Sequence, residues 1–233
     1  MAVSAILPLP PLTLAPLAWP GKIGYDPLVR SILKSILALS ASLLLISCID
    51  IDTRIRFQEN GSGSISMTYR VSHLVVDLGK GGEAAWSVPL PISEADFRRS
   101  LDGVQGVRLT RFSRKEDEKD IIIQAEMSFD KIESLSGIES FRSSQPTLTR
   151  SGDVMSYRQI ILQADKEPVS EDSLAMVDAL FTGYGISYTI ETPAPVRNPG
   201  MGTLDGSGKT WTWKTTIKDL IQSRTDTVIT LSW

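Results

Sequence analysis

The chain has 233 residues, with 24 Lys and Arg against 27 Asp and Glu, so its formal net charge is −3 at pH 7. Its basic residues are scattered rather than gathered into a stripe with interleaved aromatic residues, the pattern that binds a phosphate backbone, and we expect no nucleic-acid partner. A single cysteine leaves no disulfide within the chain, so stability has to come from an apolar core.

Residues 1–28 form a proline-rich N-terminal extension that fits no packed element. Prolines crowd residues 7–11 and 15–20, where each one removes a backbone donor and restricts the residue before it. The extension also places Arg30 and Lys34, the positive charges expected near the start of an export signal, far from Met1. We interpret it as the result of a start site assigned too early, with initiation near Val29, and we exclude it from the fold.

Residues 29–47 have the composition of an export signal. Arg30 and Lys34 supply positive charge, and residues 35–47 are apolar or small throughout. That run has the roughly 7–15 residues of a secretory signal core and is shorter than the roughly 20 that span a bilayer. We therefore predict a signal peptide over residues 29–47.

The predicted signal peptide ends directly before Cys48, the only cysteine of the chain. Leu45-Ile46-Ser47-Cys48 resembles the lipobox of bacterial lipoproteins. The resemblance implies that the signal is cut between Ser47 and Cys48, that the sulfur carries a diacylglyceryl group, and that the freed amine takes a further acyl chain such as palmitate. Two or more such chains anchor a protein stably in a membrane. The alternative is an ordinary signal peptide, or a short core helix that contains a buried cysteine.

The part of the chain that follows the signal is large enough for one domain. About 185 residues remain, which suits a single sizeable core. Loss of Lys22, Asp26, Arg30 and Lys34 changes the formal charge to −5. We predict one domain over residues 48–233.

An alternation of apolar and polar residues with period two dominates this domain. Three pairs of alternating segments are each joined by a short polar turn, which predicts three β-hairpins. The pairs are 51–57 with 65–71, 107–114 with 121–129, and 147–150 with 154–163. Consecutive hairpins favour an antiparallel sheet.

Two helices are predicted among these strands. Ser93 begins a capping-box pattern with Asp96, followed by apolar residues on one face. Ser170 can cap a second helix whose apolar stripe lies within residues 174–181. Both apolar faces are expected to cover the sheet.

The last fifty residues predict three more strands, at 186–190, 210–214 and 228–233, with a proline-rich interruption at 193–199. Trp211 and Trp213 form a candidate binding surface, because residues two apart on a strand share a face and their aromatic surface can contact an acyl chain or a sugar. The alternative is that one or both belong to the core. Trp86 and Trp233 are open to the same two interpretations.

Several of these features occur in the order found in a known family. They are Cys48, Asn60-Gly61-Ser62-Gly63, Pro195-Val196-Arg197-Asn198, Asp205-Gly206 and Trp213. Their order resembles the LppM-like bacterial lipoprotein domain, in which a lipidated cysteine leads into a strand, a Gly-rich turn and a second strand. The resemblance implies an envelope lipoprotein associated with lipids and host interaction.

Signatures of catalysis are sparse. His73 is the only histidine, which rules out a multi-histidine metal site and leaves one residue around which a hydrolase could be built. Residues 206–210 lack the first glycine of a phosphate loop and precede a strand pattern rather than a helix. We expect no enzyme, no cofactor and no metal site.

The sequence therefore predicts a single α+β domain, an antiparallel β-sheet covered by two or three helices. Lipid at Cys48 is expected to hold it at a membrane of the bacterial cell envelope, facing the periplasm or the exterior. We expect it to bind a lipid, a glycolipid or an envelope protein without catalysis. The alternatives are a structural or assembly subunit of an envelope complex, which an exposed apolar patch without a cavity would favour, and an envelope hydrolase that uses His73.

Overall fold

The computed structural model describes residues 50–73, 91–164, 169–181 and 185–233. The described residues all belong to one compact unit of the chain, Leu45–Trp233. The proline-rich extension, the signal, Cys48 and Trp86 lie outside them. In the described part of the chain, no helix is long and apolar enough to cross a membrane.

Strands are the main secondary structure of the described residues. They are β1 (Asp50–Phe57), β2 (Gly63–Ser72), β3 (Val107–Glu116), β4 (Asp120–Phe129), β5 (Thr147–Ser151), β6 (Val154–Leu162), β7 (Gly185–Glu191), β8 (Thr203–Leu204), β9 (Thr210–Thr216) and β10 (Thr227–Ser232). The helices are α1 (Glu94–Ser100), α2 (Glu171–Phe181) and α3 (Ile217–Gln222), and short 3-10 helices cover Ile132–Gly137 and Glu139–Phe141.

The strands form two sheets within the described residues. One has the order β3-β4-β2-β1-β7-β9-β8, and the other has the order β10-β6-β5. The three predicted hairpins are all present, as the antiparallel pairs β1–β2, β3–β4 and β5–β6. A sheet-rich α+β fold is the result.

The prediction of one antiparallel sheet was wrong in two respects. Strands β1 and β7 are parallel, with Asp50 opposite Gly185 and Arg56 opposite Glu191. The third hairpin joins β10 in the second sheet instead of extending the first. Alternation identifies a strand and its hairpin partner, but it carries no information about a parallel partner, which needs a long crossover connection.

The core lies between the inner faces of the two sheets. At one end, Phe57 of β1 packs against Tyr157 of β6 and Trp233 with ring centroids 5.2 Å apart in both cases. Phe129 of β4 completes the group at 5.9 Å from Phe57. These four buried rings join the two sheets at the end where β1 stops.

The helices begin at capping residues. Ser93 and Asp96 form the predicted capping box of α1, with the Ser93 hydroxyl accepting from the Asp96 N–H. The Ser170 hydroxyl accepts from the Ser173 N–H at the start of α2. Helix α3, capped by Thr216, was not predicted, because six residues are too few to show a helical period.

Gly63 provides a test of the β1–β2 hairpin. A β-carbon at this position would collide with the Arg56 carbonyl oxygen and lie 2.7 Å from the Phe129 ring. Gly63→Ala is therefore expected to lower the free energy of unfolding by about 1–3 kcal/mol, as overpacking does. The control is Gly206→Ala, whose β-carbon would meet nothing within 4 Å. Urea denaturation curves with the same midpoint for both variants would contradict the prediction.

Candidate functional site

A partly open cavity of about 170 Å³ lies between the two sheets, away from the aromatic group around Phe57. Most of its wall is apolar. It comes from both sheets, from α1 and from the segment that contains the two 3-10 helices, which we call the 3-10 segment. The apolar residues are Ile51, Met67, Pro91, Phe97, Met127, Ile138, Phe141, Ile160 and Ile161. Filling an empty apolar cavity of this size stabilises a protein by at most about 4 kcal/mol, at ~24 cal/mol per Å³.

Four serines give the cavity a polar rim. Ser100 ends α1, and Ser140, Ser143 and Ser144 come from the 3-10 segment and the turn that follows it. Ser140 and Ser143 are exposed to solvent, whereas Ser100 and Ser144 are half-buried. Among the residues that the structure describes, none that lines the cavity carries a charge. The opening is thus polar but neutral, and the interior is apolar.

Buried polar side chains meet at the inner wall. The Tyr157 hydroxyl donates to Oε1 of Gln159 at 2.5 Å, and both residues are fully buried. The Tyr188 hydroxyl is hydrogen-bonded to Gln159 and to Thr53. Of these residues, Thr53, Gln159 and Tyr188 line the cavity. We call Thr53, Tyr157, Gln159 and Tyr188 the polar floor.

The polar floor is a satisfied network. In the described residues, no buried side-chain nitrogen or oxygen lacks a hydrogen-bond partner. Such a network holds its members in fixed positions, because breaking one bond would leave another buried group unpaired. The floor is therefore a rigid polar end to an apolar space.

Burial keeps the phenols of this region neutral. It raises the pKa of Tyr188 to about 12, although the hydrogen bonds from Thr53 and Gln159 oppose the shift. Burial also raises the pKa of Tyr157 well above its ordinary value, and that of Tyr69, whose hydroxyl donates to the Pro91 carbonyl. These hydroxyls therefore stay protonated at physiological pH.

Trp211 is a core residue and does not belong to an exposed binding surface. It is fully buried, and its indole Nε1 donates to the Pro199 carbonyl at 2.6 Å. Gly202 lies against the same ring, so closely that a β-carbon there would collide with it. Strand β9 is flanked by β7 and β8, and the loop before β8 covers the indole. Trp233 is buried as well.

Trp213 lies on the same inner face but is half-buried. Its ring centroid is 6.4 Å from that of Tyr188, and Tyr188 lines the cavity. Trp213 therefore supports the cavity wall through Tyr188 and has some surface of its own.

His73 lies at the end of β2 and contacts the β3–β4 turn. Its Nε2 is 3.0 Å from the Asp117 carbonyl oxygen and 3.6 Å from Oε1 of Glu116. The Asp117 carboxylate accepts the N–H groups of Lys119 and Asp120, which close that turn and lower the pKa of the carboxyl group. The contacts of His73 thus hold the end of β2 against the β3–β4 turn.

Two further sequence features have structural roles. Lys209 precedes strand β9, so no helix follows the Gly206–Thr210 segment, and the Asp205 carboxylate accepts the Thr210 N–H within that turn. Across the ranges the structure describes, no three His, Cys, Asp or Glu side chains are grouped so that they could hold a metal ion.

The sequence reasoning did not identify the cavity, although two residues carried a signal. Gln159 occupies an inward position of β6 between Tyr157 and Ile161, and Thr53 does so in β1 between Ile51 and Ile55. A polar residue in the apolar phase of a strand needs a buried partner or a cavity. That deviation from strict alternation could have indicated the polar floor.

Solved structures similar to this chain include a bacterial lipoprotein domain. It is the folded domain of LppM from Mycobacterium tuberculosis, solved by NMR, with 14% sequence identity and a TM-score of 0.40, over 79% of this chain and 86% of that domain. No family model matches this chain, and neither does any curated protein sequence.

The buried phenol of Tyr188 predicts a loss of stability in alkali. Below about pH 10 the phenol is neutral in both states; above it, the unfolded chain ionises first, since an unfolded tyrosine has a pKa of about 10. The free energy of unfolding should therefore fall as the pH rises from 10 towards 12. Tyr188→Phe should make this decline shallower in urea denaturation at several pH values. An unchanged slope would contradict the assignment.

Proposed function

We propose that this chain is a non-catalytic lipoprotein of the bacterial cell envelope, held at a membrane through Cys48, whose domain takes the apolar part of an uncharged lipid or glycolipid into the cavity. The observation that carries the proposal is the cavity itself, an apolar space with a fixed polar floor and a neutral serine rim. Apolar walls with a few convergent polar groups are typical of small-molecule sites.

The size and chemistry of the cavity favour a chain over a headgroup. A space of about 170 Å³ is smaller than the roughly 300–1,000 Å³ of sites that enclose a drug-sized ligand. It suits part of an acyl chain, with the polar remainder of the ligand at the serine rim. None of the described lining residues is Lys or Arg, the side chains that usually bind a phosphate, and this favours an uncharged ligand.

The surface argues against the alternative of an assembly subunit that docks through an apolar patch. Among the described residues, Met201 is the one large hydrophobic side chain that is exposed, at 46%. A docking patch between proteins is usually a contiguous area of apolar surface. The described apolar residues are gathered instead in the core and around the cavity.

The anchor is tested by mass spectrometry of the full chain extracted from membranes. We expect a peptide that begins at Cys48 and carries acyl chains, and we expect Cys48→Ala to lose both the modification and the membrane attachment. Cys48→Ser, which has nearly the size of cysteine but lacks the sulfur, should lose the modification and the attachment as well. An unmodified cysteine within an uncut chain would contradict the anchor.

The cavity is tested with radiolabelled monopalmitoylglycerol, an uncharged lipid with one acyl chain, and the full chain in mild detergent. Ser100→Phe places a ring at the rim and should weaken binding at least roughly tenfold, which corresponds to about 1.4 kcal/mol. Ser151→Phe, at the exposed last residue of β5, is the matched control and should bind as the wild type does. Circular dichroism checks that each variant is folded, and Ile161→Phe replaces Ser100→Phe if the latter is not. Equal affinities in all folded variants would contradict ligand binding in this cavity.

A further inference from the structure

The cavity lies close to the point where the domain joins its predicted lipidation site. Ile51, in β1, lines the cavity, and Cys48 precedes it by three residues. Because a chain extends at most ~3.6 Å per residue, the Cα atoms of Cys48 and Ile51 are separated by no more than about 11 Å. An acyl chain attached to Cys48 therefore starts within reach of the cavity.

We propose that the resident occupant of the cavity is one acyl chain of the diacylglyceryl group on Cys48 of the same molecule. The proposal rests on the lipidation advanced under Proposed function and identifies what fills the same cavity. The chain would pass the serine rim and lie against the apolar wall formed by residues such as Ile51, Met67 and Met127.

The neutral lining selects this lipid over an anionic one. A diacylglyceryl group joined to sulfur by a thioether has no charge, and within the described ranges no lining residue has one either. A phospholipid would bring its phosphate to a rim whose described residues are four serines, none of which can balance a negative charge. Charged groups that leave water without a partner are costly, so the uncharged lipid fits better.

Tethering gives the acyl chain on Cys48 an advantage over free lipid. A covalently linked group acts at an effective concentration in the millimolar range for a short linker, independent of protein concentration. A free ligand of the cavity would therefore have to displace it. The other acyl chains of the anchor would stay in the bilayer, where two chains are enough for stable attachment.

The test uses the full chain, processed in cells that are fed a palmitate analogue with a diazirine near its methyl end. Intact mass first establishes that Cys48 carries the analogue, and irradiation of the membranes then links it to its neighbours. We expect crosslinks to peptides that contain residues 138–144 or 160–161 of the same chain. Mixing with isotope-labelled protein that lacks the analogue distinguishes links within a chain from links between chains.

Cavity variants and controls decide the interpretation. Ser100→Phe, or Ile161→Phe if the first variant does not fold, should remove the links to the cavity wall, and Ser151→Phe should retain them. Acylated protein that crosslinks only to bilayer lipids, or only to other copies, would overturn this proposal and leave the proposed function standing. Absence of acylation at Cys48 would overturn both.

Discussion

The parallel pairing of β1 with β7 is the constraint on which the rest of the structure depends. It sets Thr53 opposite Tyr188, and so brings one member of the polar floor to another across 135 residues of chain. The same register places Arg56 beside Glu191, whose side chains form an ion pair at 2.7 Å. A shift of one residue would turn Tyr188 to the outer face and dismantle the hydrogen bonds to Thr53 and Gln159.

The two ends of the space between the sheets differ in kind. Around Phe57, four aromatic rings fill the interior, and their edge-to-face and tilted contacts leave no room for a ligand. Towards Ile51, the facing side chains are smaller or polar, and Gln159 takes a place that an apolar residue would fill in a closed core. The cavity exists because the sequence satisfies polar groups there instead of packing rings.

The parts of the fold that were predictable are those that depend on neighbours in sequence. Period-two alternation identified three hairpins, and Ser93 with Asp96 marked the start of α1. The parallel partner of β1 and the split into two sheets depend on contacts between distant segments, which a local pattern cannot specify. The position of Trp211 was ambiguous for the same reason, because the segment that covers it precedes it by about a dozen residues and has no regular pattern.

The distance in sequence between β1 and β7 also bears on how the domain is made. Because a chain is synthesised from its amino terminus, β1 emerges first, and the edge that β7 will occupy stays open until 135 more residues have followed. An open strand edge is a template for pairing with other chains, and partners so far apart in sequence associate slowly. The open edge of β1 is therefore exposed to pairing with other chains until β7, in the carboxyl-terminal third of the domain, has been made.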